Sequence, residues 1–81
     1  MSIYEQIVLI TEDYLGPAAR RFISRQISFH LDKQPEEVTI EDIPSLAEWT
    51  TVTLSLLTKD QNIVSEFSQK MRAIPTNAVA D

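Results

Sequence analysis

Apolar residues recur at helical spacing along most of the chain, and four amphipathic segments follow. The first helix is expected over Ser2 to Asp13. Ile3, Ile7, Ile10 and Tyr14 share a stripe, Tyr4 and Val8 flank it, and Leu9 lies off it, either partly exposed or in a second contact. Ser2, with Glu5 three residues on, has capping-box spacing. Gly16-Pro17 then breaks the chain, since Gly suits the position past a helix end and Pro the first turn of the next. The second helix is expected from Pro17 to Leu31 or Asp32. Ala18, Ala19, Phe22, Ile23, Ile27, Phe29 and Leu31 form its apolar arc, with His30 inside it. Arg21, Ser24, Arg25 and Ser28 lie opposite, and Arg20 sits at the edge.

A polar connection follows, with one short helical turn expected at Thr39–Asp42. Ser45 and Glu48 repeat the capping-box spacing and predict a third helix over Ser45 to Thr58. Leu46, Ala47, Trp49, Val52, Leu54, Leu56 and Leu57 cover most of its circumference. Such a helix is either central to the fold or faces a partner chain. The alternation Val52, Leu54, Leu56 also fits a strand, but no hairpin turn or partner strand is visible, so helix is the reading kept. The fourth helix is expected from Asp60 to Ala73, with a stripe of Ile63, Val64, Phe67, Met71 and Ile74. Pro75 stops it, and 75–81 reads as a flexible tail. The expected fold is all-α, a compact four-helix bundle forming one domain over 1–74.

Composition supports this. One glycine in 81 residues is too few for the turns of a small β fold. No apolar run approaches the roughly 20 residues of a membrane span, and the N-terminus lacks a signal-peptide pattern, so a cytoplasmic protein is expected. The absence of cysteine excludes disulfides and thiolate chemistry, and the lone His30 excludes a His-paired metal site within one chain. A glycine-rich phosphate loop is excluded as well. The acidic pairs Glu36-Glu37 and Glu41-Asp42 read as solvated loop acids, and His30 as a core or last-turn histidine favoured by the helix dipole. No catalytic residue, cofactor or metal is expected.

Charge is uneven. The chain carries -5 overall, yet Arg20, Arg21, Arg25 and Lys33 cluster in the second helix and its exit, between acidic segments. Two readings stand. The basic residues pair internally with Glu12, Asp13, Glu36, Glu37 or Glu41, or they form a face that docks an acidic partner, which the planar guanidinium suits. Trp49, at the boundary of its arc, is either core or an interface anchor. The function expected is a small protein-interaction or regulatory module. It docks a partner with an acidic surface through Arg20, Arg21 and Arg25, with Trp49 or Leu9 as apolar anchors, and forms a homo-oligomer through the third helix. The alternative is a helix-turn-helix-like DNA-binding regulator, with the second helix reading the groove. Against it, the acidic balance disfavours nucleic acid.

The segment Asp13-Tyr14-Leu15-Gly16-Pro17-Ala18-Ala19-Arg20-Arg21-Phe22 resembles a small helical module appended to bacterial signalling proteins such as kinases and cyclases. Its core there is Tyr-Ile-Gly-Pro-x-Ala, and Leu15 stands here where Ile is usual. The resemblance continues loosely to Arg72. It implies an accessory regulatory domain without catalytic residues, with Gly16 and Pro17 as its structural corner. A free-standing copy is expected to act in trans or to dimerise.

Overall fold

The Ser2 hydroxyl accepts the Glu5 backbone N–H at 3.1 Å and starts α1 (Ile3–Leu15). The expected serine cap therefore forms, satisfying one of the first-turn donors left unpaired by helix geometry. This computed structural model describes residues 2–74. Within α1, Ile7, Val8 and Thr11 are buried, and the Thr11 hydroxyl donates back to the Ile7 carbonyl at 2.8 Å.

Gly16 ends α1 with φ 58° and ψ -137°, a conformation open to glycine at little cost. The chain passes through one 3-10 turn, Gly16–Ala18, with Pro17 in it, and enters α2 (Ala19–Leu31). Two contacts show that the corner folds α2 back along α1. The Tyr4 hydroxyl meets Ser24 Oγ at 2.8 Å, and Arg20 grips Glu5 through both carboxylate oxygens. Asp32, in the left-handed conformation, closes α2.

Two 3-10 turns follow, Pro35–Glu37 and Ile40–Asp42, and the second leads directly into α3 (Ile43–Leu57). The extra helical turn expected near 39–42 is thus present. Asp60 Oδ1 then accepts the backbone N–H groups of Asn62 and Ile63 and caps α4 (Gln61–Arg72). α1 packs on α2 and α4, and α3 packs on the same two helices. Ile7, Ile23, Ile27, Leu46, Phe67 and Met71 meet in the centre, each essentially without exposure. Full burial of such a side chain stabilises by about 1.5–3 kcal/mol.

The all-α class is what forms, with no strand among the described residues. The four-helix bundle is not. Among the described residues helical backbone runs in three long stretches, because the 3-10 turn at Gly16–Ala18 joins α1 to α2 and the turn at Ile40–Asp42 joins α3, and the 3-10 turn Pro35–Glu37 stands apart as a single turn. Two further expectations are corrected. α3 begins at Ile43 instead of Ser45, since Asp42 already organises the turn before it and Pro44 is accepted in a helix's first turn. Phe29, assigned to the buried arc of α2, is 82% exposed, because it stands four residues after Arg25 and shares the exposed face of the arginines. The expected tail lies outside the described residues.

Two substitutions test this packing. A Cβ on Gly16 would meet nothing within 4 Å, so its cost is conformational alone. Gly16→Ala is expected to lower unfolding free energy by about 1–3 kcal/mol in urea titration. Gln26 is buried in α2 with its Oε1 unpartnered. Replacing it with the similarly sized Met is expected to raise stability by about 1 kcal/mol in the same assay.

Candidate interaction surface

The basic cluster expected from the sequence divides once folded. Arg20 binds Glu5 at 3.0 and 3.2 Å and lies 5.5 Å over the Tyr4 ring, so it acts as an α1–α2 clamp. Lys33 binds Asp42 at 2.8 Å and ties the exit of α2 to the start of α3. Neither partner is among the acids expected from the sequence. Arg21 and Arg25 differ: both are exposed, and no ion pair or hydrogen bond engages either among the described residues. Residues four apart share a helix face, so Arg21, Arg25 and the exposed Phe29 form one strip along α2.

α3 supplies a second element. Ile43, Leu46, Ala47, Thr50 and Leu54 face the core. Trp49, Val52 and Leu56, spaced three and four apart, lie almost opposite, and they are 46%, 49% and 81% exposed. Leu57 is exposed too. The His30 and Trp49 rings stack at 4.3 Å and 5°. This contact seats the end of α2 against the first half of α3. His30 is itself exposed, not a core residue.

Of the residues singled out from the sequence, Arg21 and Arg25 share one exposed face of α2, and Trp49 meets α2 through His30. Arg20 does not join them, being held by Glu5. Leu9, half-exposed, does not either: it lies between Glu5, Glu12 and Asp13 on the outer face of α1, which packs on α2 and α4 instead of α3. Phe29, Val52 and Leu56 belong to the surface and were assigned only to general apolar arcs. The available signal was α3 itself, apolar around more of its circumference than one core can cover.

The remaining polar network is scaffolding. The Tyr14 hydroxyl donates to Glu66 Oε1 at 2.7 Å, its ring packs edge-on against Phe67 at 5.5 Å, and Lys70 joins Glu66 at 3.2 Å. Burial, then the bond to Glu66, pushes the Tyr14 phenol up, whereas Tyr14 and Lys70 hold the Glu66 carboxyl below its usual range. The Arg20 hydrogen bond does the same for Glu5. Burial raises the Asp42 carboxyl, but Lys33 and the Thr39 N–H outweigh it and leave it low. Glu37 accepts the Gln34 N–H at 2.7 Å, so two of the expected solvated loop acids in fact cap turns. No cavity opens among the described residues, and none of their His and acidic side chains group as a metal site. No helix among them is long and apolar enough to cross a membrane. No family model matches the chain, and neither does any curated protein or solved structure.

The depressed carboxyls set the sign of the acid response. Folding favours the ionised forms of Glu5, Asp42 and Glu66, so their contribution is complete above the usual carboxylate values of 4.5 and 3.8 and is lost as pH falls through the lower folded values. The urea midpoint is expected to hold steady from about pH 7 to 5 and to fall below about pH 4.

Proposed function

We propose that this chain is a small cytoplasmic protein-interaction module of a regulatory kind. It docks an acidic partner through Arg21 and Arg25, with Phe29 and Trp49 as apolar anchors, and it also associates with itself. The observation that carries this reading is that α2 exposes two arginines with no ion pair among the described residues while α3 exposes an uncovered apolar face. Charge complementarity supplies orientation and association rate, and buried aromatic anchors supply most of the affinity. The module works by binding and has no catalytic chemistry of its own. The Tyr14-to-Ala19 resemblance to modules of bacterial signalling enzymes supports a regulatory role, and Gly16 and Pro17 act there as a corner, not as contact residues.

The test is a cross-linking pull-down from lysate of the source cell, comparing the native chain with Arg21→Glu/Arg25→Glu. Circular dichroism should show equal helical content, because neither arginine holds a partner within the fold. A protein enriched by the native chain is expected to be lost in the variant. Retention of the same proteins would overturn the docking role of the arginines. Capture of duplex DNA, weakening steeply with salt, would replace this reading with a nucleic-acid regulator.

A further inference from the structure

We infer that the partner segment seated on the α2 strip is an amphipathic helix, with two carboxylates one turn apart and an apolar side chain one turn further along. The inference rests on the reading of Arg21 and Arg25 as docking residues and names what they hold. Three observations carry it. The first is the ladder itself. Arg21, Arg25 and Phe29 are all exposed and stand four residues apart on α2. Each step advances about 6 Å along the helix axis. Phe29, at 82%, is the most exposed of the large apolar residues described. Neither arginine has an ion pair among the described residues, so each guanidinium is open to a carboxylate.

The second observation is where the positive charge stops. Asp32 closes α2 and Glu36 follows in the turn Pro35–Glu37, and both are exposed. The chain as a whole carries -5. An occupant with negative charge spread evenly along its length, such as a nucleic-acid backbone, is attracted at Arg21 and Arg25 but repelled from Asp32 onward. The strip is complemented by a short negative patch that gives way to an apolar group, which is two acids and then a side chain for Phe29.

The third is the backbone. No strand exists among the described residues, so they offer no sheet edge to an extended peptide. The strip on α2 presents side chains only, and its occupant must satisfy its own backbone groups, as a helix does. A helix also repeats the ladder's step, since its side chains four apart advance the same distance of about 6 Å. Alternate side chains of an extended strand advance about 6.7 Å and slip out of register. Two rows of four-residue spacing run parallel when the helix axes cross at about -50°, the commonest way helices pack.

Fluorescence anisotropy of a labelled helical peptide, titrated with the full chain, tests this. The probe is an alanine-glutamine helix of about 20 residues, with two Glu four apart and a Leu four further on. The control has the same composition with the two Glu only two apart, on different faces. The probe is expected to bind at least about fivefold more tightly than the control, and to weaken as salt rises from about 20 to 200 mM. Phe29→Ala is expected to weaken it by about tenfold. Arg21→Glu/Arg25→Glu is expected to abolish binding with helical content unchanged by circular dichroism. A probe with Lys in place of both Glu is expected to bind that variant. Equal binding of probe and control overturns the inference, as does a probe that does not bind or a Lys probe that fails to rescue. Tighter binding of a labelled DNA duplex than of the probe overturns it in favour of nucleic acid. The docking reading fails separately: a protein captured from lysate through Arg21 and Arg25, with no preference for the helical probe, leaves that reading standing and removes the helix.

Discussion

Reversal of the chain at residue 16 depends on one backbone torsion, and the contacts that build the rest of the molecule depend on that reversal. At φ 58° and ψ -137° a side chain would strain the backbone, so the chain's single glycine sits where the geometry demands it. Because the corner spends only the three residues of a 3-10 turn, α2 starts at once and runs back along α1. Tyr4 can then reach Ser24, and Glu5 can reach Arg20. Tyr14, two residues before the corner, is left pointing at α4, where Glu66 and Phe67 hold it. One glycine thus sets the two helix pairings that α1 makes.

Charge is used in two ways. Where a basic residue sits at a junction between elements, an acid meets it: Arg20 with Glu5 and Lys33 with Asp42, whereas Lys70 and Glu66 pair one turn apart within α4. Exposed pairs of this kind add little stability, typically under about 1 kcal/mol each. The value of the first two is geometric, since each fixes where one element stands against the next. Asp42 shows this most clearly. Its carboxylate receives Lys33, the Thr39 N–H and the Thr39 hydroxyl together, so it ends a linker, caps a turn and orients α3. Arg21 and Arg25 sit at no junction, and no ion pair engages either among the described residues.

Much of the fold was legible in the sequence for a physical reason. A helix with one buried face writes its period plainly, and α1, α2 and α4 each have one. Ser2 was readable as a cap because a short polar side chain before an apolar period has few other uses. α3 was harder, because its apolar residues nearly encircle it and the period fades. The core-facing set and the exposed set appear only once α2 and α4 are in place. Ser45 misled for a related reason: its spacing to Glu48 imitates a cap, while Asp42 three residues earlier had already been recruited by Lys33. Of the surface, Arg21, Arg25 and Trp49 were visible as residue types. Phe29 was legible too, since it stands four residues after Arg25, and its apolar character alone assigned it to the buried arc. The split of Arg20 from its neighbours was invisible, because it depends on the corner at Gly16 bringing Glu5 alongside.

The stack between α2 and α3 has a spectroscopic consequence. Trp49 is the only indole in the chain and His30 the only imidazole, and they lie face to face at 4.3 Å. Near-ultraviolet absorption and emission from tryptophan therefore arise from one place, where the end of α2 meets the exposed face of α3. One side of the indole is already shielded by imidazole and the other is open to water. Whatever seats on that surface changes the polarity around a single chromophore, without a label having been introduced. The molecule carries its own optical reporter at the place where its binding is in question.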